Sequence, residues 1–308
     1  MTRVAAVDCG TNSIRLLIAD SKLGGGLIDV DRRTEVVRLG QGVDATGEFH
    51  PDALARTFTA VDEYAKSIKD AGVPPERVHF VATSATRDAG NRDEFFRGVE
   101  QRLGVTPDVI SGDTEARLSF AGALSRVEPE GEPVLVMDIG GGSTEFIVGS
   151  AGARMYSAVS LDIGSVRLTE RFLKTSPPTP DGLERAAAYV DEMLDGTGVD
   201  FGSIGTWIGV AGTVTQLAGV YLELPDYDRD RVHGTTIPIR DIPPLLDWLS
   251  GLTVDQLRAL PTMHPNRADV ITEGTLIVAR VAARLNVPDL IVSESDILDG
   301  IALDILAP

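Results

Sequence analysis

A duplicated segment constrains this chain more than any other feature. VAAVDCGTNSIRLLIAD starts at Val4 and VLVMDIGGGSTEFIVG starts at Val134, so setting Asp8 on Asp138 gives an offset of 130 residues. The same offset sets Gly10 on Gly140, Ser13 on Ser143 and Leu16 on Phe146. Each copy reads as an apolar strand, an aspartate, a glycine-rich turn and a second strand. Either copy alone is an ordinary tight turn. Two with a matching Asp-x-Gly, one per domain, indicate paired functional tips.

The pattern between and after the copies is that of an α/β chain. Val4–Val7 and Ile14–Asp20 read as strands, joined by Leu27–Leu39 after the turn-rich Gly24-Gly25-Gly26. Leu54, Phe58, Val61, Ala65 and Ile68 recur at three and four, which predicts a helix over Pro51–Gly72. A strand at Val78–Ala82, a helix at Asn91–Leu103 and a strand at Val105–Ile110 follow. Ser111-Gly112-Asp113 offers a turn and an N-cap for a helix through Leu124. Polar, proline-bearing Arg126–Pro133 marks a domain boundary near its start. Strands resume at Val134–Ile139, Thr144–Val148 and Ala153–Ser160. Thr175–Pro180 reads as a loop, Asp181–Leu194 as a helix, Ser203–Val210 as a strand and Arg267–Leu285 as a long helix. Strands followed by helices, twice over, indicate two α/β domains with mixed sheets, residues 1–125 and 126–296.

Composition narrows the function. Aromatics are only 5% of the 308 residues, which disfavours a surface that stacks on bases. The net charge of −18 argues against a nucleic-acid or anionic-membrane binder, since both need a basic footprint. The N-terminus runs straight into a strand, without the apolar region of a signal peptide, and the apolar runs, such as Leu276 to Val281, are too short to span a membrane. One cysteine, Cys9, excludes an internal disulfide, and the cytoplasm is the expected address. The same charge is awkward for a polyanionic substrate. Phosphate binding here has to be local, by backbone N–H groups, a few arginines and a metal ion.

The tips meet that requirement. Glycines Gly10, Gly140, Gly141 and Gly142 let backbone N–H groups approach an anion closely. Thr11, Asn12 and Ser13, with Ser143 and Thr144, add side chains able to bond phosphate oxygens. Asp8 and Asp138 end their strands beside the glycines, where carboxylates suit a hydrated divalent cation such as Mg²⁺. His233 and His264 have no zinc-site spacing, and Cys9 reads as a small packing residue. Taken alone, Glu115 is a solvated glutamate favoured by a helix dipole.

DCGTNSIRLLIAD and DIGGGSTEFIVG resemble the phosphate-1 and phosphate-2 loops of the actin/Hsp70/sugar-kinase superfamily. Within it, the chain is similar to the exopolyphosphatase and guanosine pentaphosphate phosphohydrolase family. TSATRDAGN (Thr83–Asn91), ISGDTEARLSFAGAL (Ile110–Leu124), the nucleotide-loop-like GVAGTVTQLA (Gly209–Ala218), RVHGTTI (Arg231–Ile237) and HPNRADVI (His264–Ile271) extend the likeness over nearly the whole chain. The resemblance implies two actin-like domains with the site in the cleft between them, and a last helix near Ile297–Leu306 packed back on the first. It implies that Glu115 is the general base, that Glu145 lies with Asp8 and Asp138 near Mg²⁺ or Mn²⁺, and that Arg87, Asn91 and Arg267 hold phosphate. Thr114 stands where relatives often carry a second acid, and the helical C-terminal region of longer relatives is missing. Homodimers are common in the family. The activity implied is hydrolysis of the terminal phosphoanhydride of inorganic polyphosphate, with short chains favoured by the acidic surface. Release of the 5′-phosphate of guanosine pentaphosphate is the alternative, with the alarmones also possible inhibitors. A small-molecule kinase or a nucleotide-binding regulatory protein is the reading from another class.

Overall fold

The run Val4–Val7 is apolar at every position because both of its faces are covered. It belongs to β1 (Arg3–Cys9), the central strand of the first sheet, flanked by β2 (Ser13–Ser21) antiparallel and β4 (Val78–Ala82) parallel. β3 (Leu27–Val36) and the short β5 (Asp108–Val109) complete the order β3-β2-β1-β4-β5. In this computed structural model residues 1–23 and 26–307 are described, so Gly24 and Gly25 of the turn expected before β3 lie outside the described residues. Helices α1 (Val43–Thr46), α2 (Pro51–Asp70), α3 (Ser84–Asp88), α4 (Arg92–Leu103) and α5 (Gly112–Leu124) belong to the same unit.

The second unit repeats that order with one strand added. β6 (Val134–Ile139) is central, β7 (Thr144–Gly149) and β8 (Met155–Leu161) pair outward from it, and β9 (Thr206–Val210) runs parallel on its other side. With β10 (Thr236–Pro238) and β11 (Asp289–Val292) the order is β10-β11-β9-β6-β7-β8. The helices here are α6 (Ser165–Phe172), α7 (Pro180–Asp195), α8 (Ala211–Tyr221), α9 (Arg229–Val232), α10 (Ile242–Ser250), α11 (Val254–Arg258) and α12 (Ile271–Ala282). The chain crosses from the first unit at Ser125–Arg126 and returns at Ser295–Asp296, and α13 (Ile297–Leu306) rejoins the first unit.

Alternation along β1 and β2 explains the two cores of the first unit. Ala5, Val7, Leu16 and Ile18 face Tyr64 of α2 and Phe95 of α4, whereas Val4, Ala6, Leu17 and Ala19 face Leu118 of α5 and Ile301 of α13. Each such fully buried large side chain contributes about 1.5–3 kcal/mol. The second unit has one core around Phe146, Trp207, Leu217 and Ile277.

Two elements differ from the sequence expectation. The strand expected over Val105–Ile110 is only the two residues of β5, at the sheet edge. The helix expected from Arg267 starts at Ile271, because the Pro265-Asn266 turn continues through bonds from the N–H of Arg267 to His264 and from that of Val270 to Arg267. GVAGTVTQLA is a strand end followed at once by α8, with Ala211 at φ +65 making the corner.

Candidate active site

Both tips close in the same way. Gly10 N–H donates to Ser13 O at 3.0 Å, and Gly140 N–H donates to Ser143 O at 2.9 Å. What matters for an anion is where the tip carbonyls go. In loop 1, Thr11 O accepts from Gly40 N–H at 2.8 Å, and Asn12 O accepts from Val37 and Arg38 at 3.0 and 2.8 Å. In loop 2, Gly140 O and Gly141 O accept from Ser165 and Arg167 N–H at 3.0 and 3.1 Å, and Gly142 O accepts from Arg167 Nε at 2.8 Å. Every one of these acceptors points into the protein's own scaffold. The N–H groups of Thr11, Asn12, Gly141 and Gly142 donate to no group among the described residues. Carbonyls held back and amides left forward make an anion cradle without any net charge. Loop 2 lies hard against the start of α6: a Cβ on Gly164 would sit 2.3 Å from the backbone of Gly141.

The strand-end aspartates have opposite partners. Asp8 faces Arg15 across the first hairpin. Arg15 donates to Asp8 Oδ2 through Nη2 at 2.6 Å and Nε at 3.0 Å, and through Nη1 to Asp296 Oδ2 at 2.5 Å. Burial pushes the Asp8 carboxyl above its ordinary range, with Arg15 pulling it back. Asp138 faces Glu145, which accepts from Ser160 Oγ at 2.7 Å. Like charges directly opposite on one sheet face are destabilising. A counter-charge comes from far along the chain: the guanidinium of Arg267 is laid over Gly212, where a Cβ would approach Nη2 to 2.0 Å. Burial lowers the Arg267 pKa, and the fields of Asp138 and Tyr227 oppose the drop.

Arg87 Nη1 donates to Ile110 O at 2.7 Å and to Glu115 Oε2 at 3.1 Å, so the structure joins these two expected residues directly. Glu115 stands in the first turn of α5, whose N-cap Ser111 accepts from Thr114 N–H. The Thr114 hydroxyl bonds that same serine at 3.1 Å, so it serves the cap.

Two expected assignments are corrected. Asn91 accepts from Phe49 N–H at 2.8 Å and donates to Phe49 O at 3.2 Å, so its amide stands in for a strand partner and is spent there instead of on phosphate. Thr144 is fully buried and its hydroxyl donates to Ile163 O, which removes it from the phosphate set. Asp8 Oδ2 accepts from two nitrogens of Arg15, so a cation at Asp8 would compete with that ion pair. Sequence reasoning missed Arg167 and Ser84, the latter bonded to Thr11 Oγ1 at 2.9 Å. Their roles depend on partners 25 and 73 residues away, which no local periodicity encodes.

Duplicated anion cradles on a duplicated mixed-sheet frame, one with a scaffold-held glutamate in its unit, define a phosphate-handling α/β protein. The chain matches the Ppx/GppA phosphatase family over residues 17–307, and it belongs to that family. It is 46% identical over 319 aligned positions to exopolyphosphatase 2 of Mycobacterium tuberculosis, covering 99% of each chain. Among solved structures it is similar to a Ppx/GppA phosphatase of Aquifex aeolicus, with a TM-score of 0.90 and 31% identity over 100% of both chains. It also resembles an exopolyphosphatase-like protein at 42% identity and a TM-score of 0.81, covering 98% of this chain and 97% of that one.

Proposed function

We propose that the chain is a cytoplasmic exopolyphosphatase that hydrolyses the terminal phosphoanhydride of short inorganic polyphosphates. The observation that carries this reading is the turning back of the carbonyls of Thr11, Asn12, Gly140, Gly141 and Gly142, which gives a protein of net charge −18 an uncharged means of gripping phosphate. Tip amides bind and orient the terminal phosphate. Arg87 fixes the glutamate, and Glu115 takes the proton from the attacking water as its oxygen closes on phosphorus in line with the departing chain. Supporting the substrate assignment, the Mycobacterium tuberculosis relative is named an exopolyphosphatase.

The Asp138–Glu145 pair fits a divalent cation, because two carboxylates opposed across the hairpin concentrate negative charge at one place. Among the described residues no three His, Cys, Asp or Glu side chains cluster as a cage. A pair of carboxylates suits Mg²⁺ or Mn²⁺, which keep several waters and take one or two such ligands. When bound, such an ion supplies neutralising charge at the phosphoryl oxygens.

Phosphate release with no acceptor, measured side by side on short polyphosphate, long polyphosphate and guanosine pentaphosphate, tests the reading. Short polyphosphate is expected to give the highest kcat/KM, and added salt is expected to narrow its lead by screening the acidic surface. Preference for the pentaphosphate would make the chain a 5′-phosphohydrolase. Absence of any release without an acceptor would make it a kinase or a regulatory protein.

A further inference from the structure

Arg267 is half-buried in the second unit, and its guanidinium donates no hydrogen bond to any group among the described residues. Donors left open in partial burial cost free energy unless a ligand takes them. The guanidinium lies over Gly212, two residues beyond the end of β9, and Asp138 at the end of β6 is in register with Val210 of β9. Arg267 therefore stands where two parallel strands end, beside loop 2, the edge at which α/β sheets take their ligands. No side-chain partner holds it there, so its place is set through its backbone.

The segment that carries Arg267 is seated on one face of α8. Gly212, Gln216 and Gly219 recur at four and three, and so form a single stripe along that helix. Each meets a different part of the segment 262–267. A Cβ on Gly219 would sit 2.7 Å from Thr262 Oγ1, and one on Gly212 would sit 2.0 Å from Arg267 Nη2. The glycines at either end let the segment lie against the helix, and the residue between them fastens it. Gln216 is only 3% exposed. Its Nε2 donates to Thr262 O at 2.8 Å and to Thr262 Oγ1 at 3.2 Å, and its Oε1 accepts from His264 N–H at 2.9 Å. A carbonyl that needs a donor and an amide that needs an acceptor fix which way the side-chain amide points. The line then continues to the arginine, because His264 O accepts from Arg267 N–H at 2.8 Å. Packing alone asks for no amide here, since a methionine would fill the same space.

We infer, on the reading that loop 2 holds phosphate, that Gln216 is a positioning residue for substrate binding. It clamps the turn at 262–266 against α8, so that the Arg267 guanidinium is presented to phosphate oxygens with its donors free. A planar fork takes two phosphate oxygens together only when its base is fixed, and fixing it is the task of the clamp.

Calorimetric titration of the full chain with methylenebisphosphonate, a diphosphate mimic whose P–C–P bridge resists hydrolysis, reads the clamp without turnover. Gln216→Met keeps the volume and removes the amide, and it should weaken binding about fivefold. Arg267→Ala should weaken it about tenfold or more. Joined in one chain, the two should do no worse than Arg267→Ala alone, because the glutamine acts through the guanidinium. A glutamine that merely supports the unit would cost the same in both backgrounds. With tripolyphosphate as substrate, Gln216→Met should raise KM and leave kcat nearly unchanged. Gly219→Ala is the check should Gln216→Met fail to fold: alanine suits a helix, and its Cβ pushes on Thr262 while Gln216 stays. It should weaken the probe in the wild type and not in Arg267→Ala. Wild-type affinity in either variant, or equal losses with and without Arg267, would overturn the inference. The expected binding pattern with no phosphate released from any polyphosphate would leave the clamp standing and remove the hydrolase reading instead.

Discussion

Loop 1 and loop 2 share a backbone and differ in everything placed around it. Loop 1 leans on the extended segment Val37–Gly40, which supplies three amides to its carbonyls, and its aspartate is matched with Arg15. Loop 2 leans on the first turn of α6 and on Arg167, and its aspartate is matched with Glu145. The shared part is what any phosphate cradle needs, amides forward and carbonyls back. The cross-strand partner decides the rest. An Asp–Arg pair is complete in itself, and Arg15 passes the charge on to Asp296, the N-cap of α13. An Asp–Glu pair concentrates negative charge, which the field of Arg267 meets and which a cation also suits. Duplication therefore preserved the grip on phosphate while the electrostatics of the two copies diverged.

The largest expected effect separates binding from chemistry, because both units carry a cradle but Glu115 lies in the first alone. Glu115→Gln keeps the side-chain shape and should lower kcat by about 10²–10⁴ with little change in KM. Steady-state kinetics of the purified variant give the answer, and near-wild-type turnover would move the proton to a different group.

A second effect belongs only to the scaffold of loop 2. Glu273 on α12 is buried, and burial pushes its carboxyl up from 4.5 to about 7, eased by its own amide and by Thr169 on α6. A raised folded-state pKa gives stability that is full below the unfolded value and lost as pH climbs through the folded one. The wild type should thus lose about 3 kcal/mol between about pH 4.5 and pH 8 from this group. Glu273→Gln removes the loss: denaturation at pH 8 should show the variant the more stable, and at pH 4.5 the two nearly equal. Parallel curves at both pH values would mean that water reaches the carboxylate.

The comparison itself is sharpened by removing each aspartate. Asp138→Asn should weaken Mn²⁺ binding about tenfold or more and change stability little, since relief of the repulsion from Glu145 and loss of the counter-charge to Arg267 act in opposite directions. Asp8→Asn should leave Mn²⁺ affinity near wild type and lower stability by about 1–3 kcal/mol, because Arg15 loses its most buried partner. Calorimetric titration with Mn²⁺ and thermal melts read both quantities. Equal losses of affinity would restore Asp8 to the metal site and break the distinction between the loops.

Much of this contrast was open to sequence reasoning. Once a tip closes between Gly10 and Ser13, residue 8 must face residue 15; closing between Gly140 and Ser143 sets 138 against 145. The hairpins and the N-cap at Ser111 were readable because strand alternation and capping residues are local signals, whereas the last helix was expected from the family resemblance alone. Asn91 and Thr144 were misjudged for the converse reason. Their side chains are claimed by single backbone groups, at Phe49 and Ile163, that come near only in the folded chain. The early start expected for α12 came from reading Arg267 as helical, when its guanidinium is needed over Gly212 and the turn at Pro265-Asn266 puts it there.

The smallest expected effect concerns how loop 2 is held, and it bears on whether the two cradles are equally rigid. Loop 1 has its carbonyls fixed by backbone amides alone, so no single side chain can release it. Loop 2 has one carbonyl, Gly142 O, fixed by a side chain, Arg167 Nε. Arg167→Ala frees that peptide to rotate while leaving the bonds from Ser165 and Arg167 N–H to Gly140 and Gly141 in place. The loss of one charge-assisted hydrogen bond, about 1.5–3 kcal/mol when the group is well ordered, is moderated here by the exposure of the arginine. KM should therefore rise several-fold, with kcat nearly unchanged, because the amide beyond Gly142 is needed to hold phosphate before the chemistry begins. Arg167→Lys should not recover it, since an ammonium lacks the fixed fork that reaches Gly142 and Asp162 together. Added guanidinium at low millimolar concentration should recover part of it. A fall in kcat with KM intact would mean that loop 2 tightens only as the bond breaks.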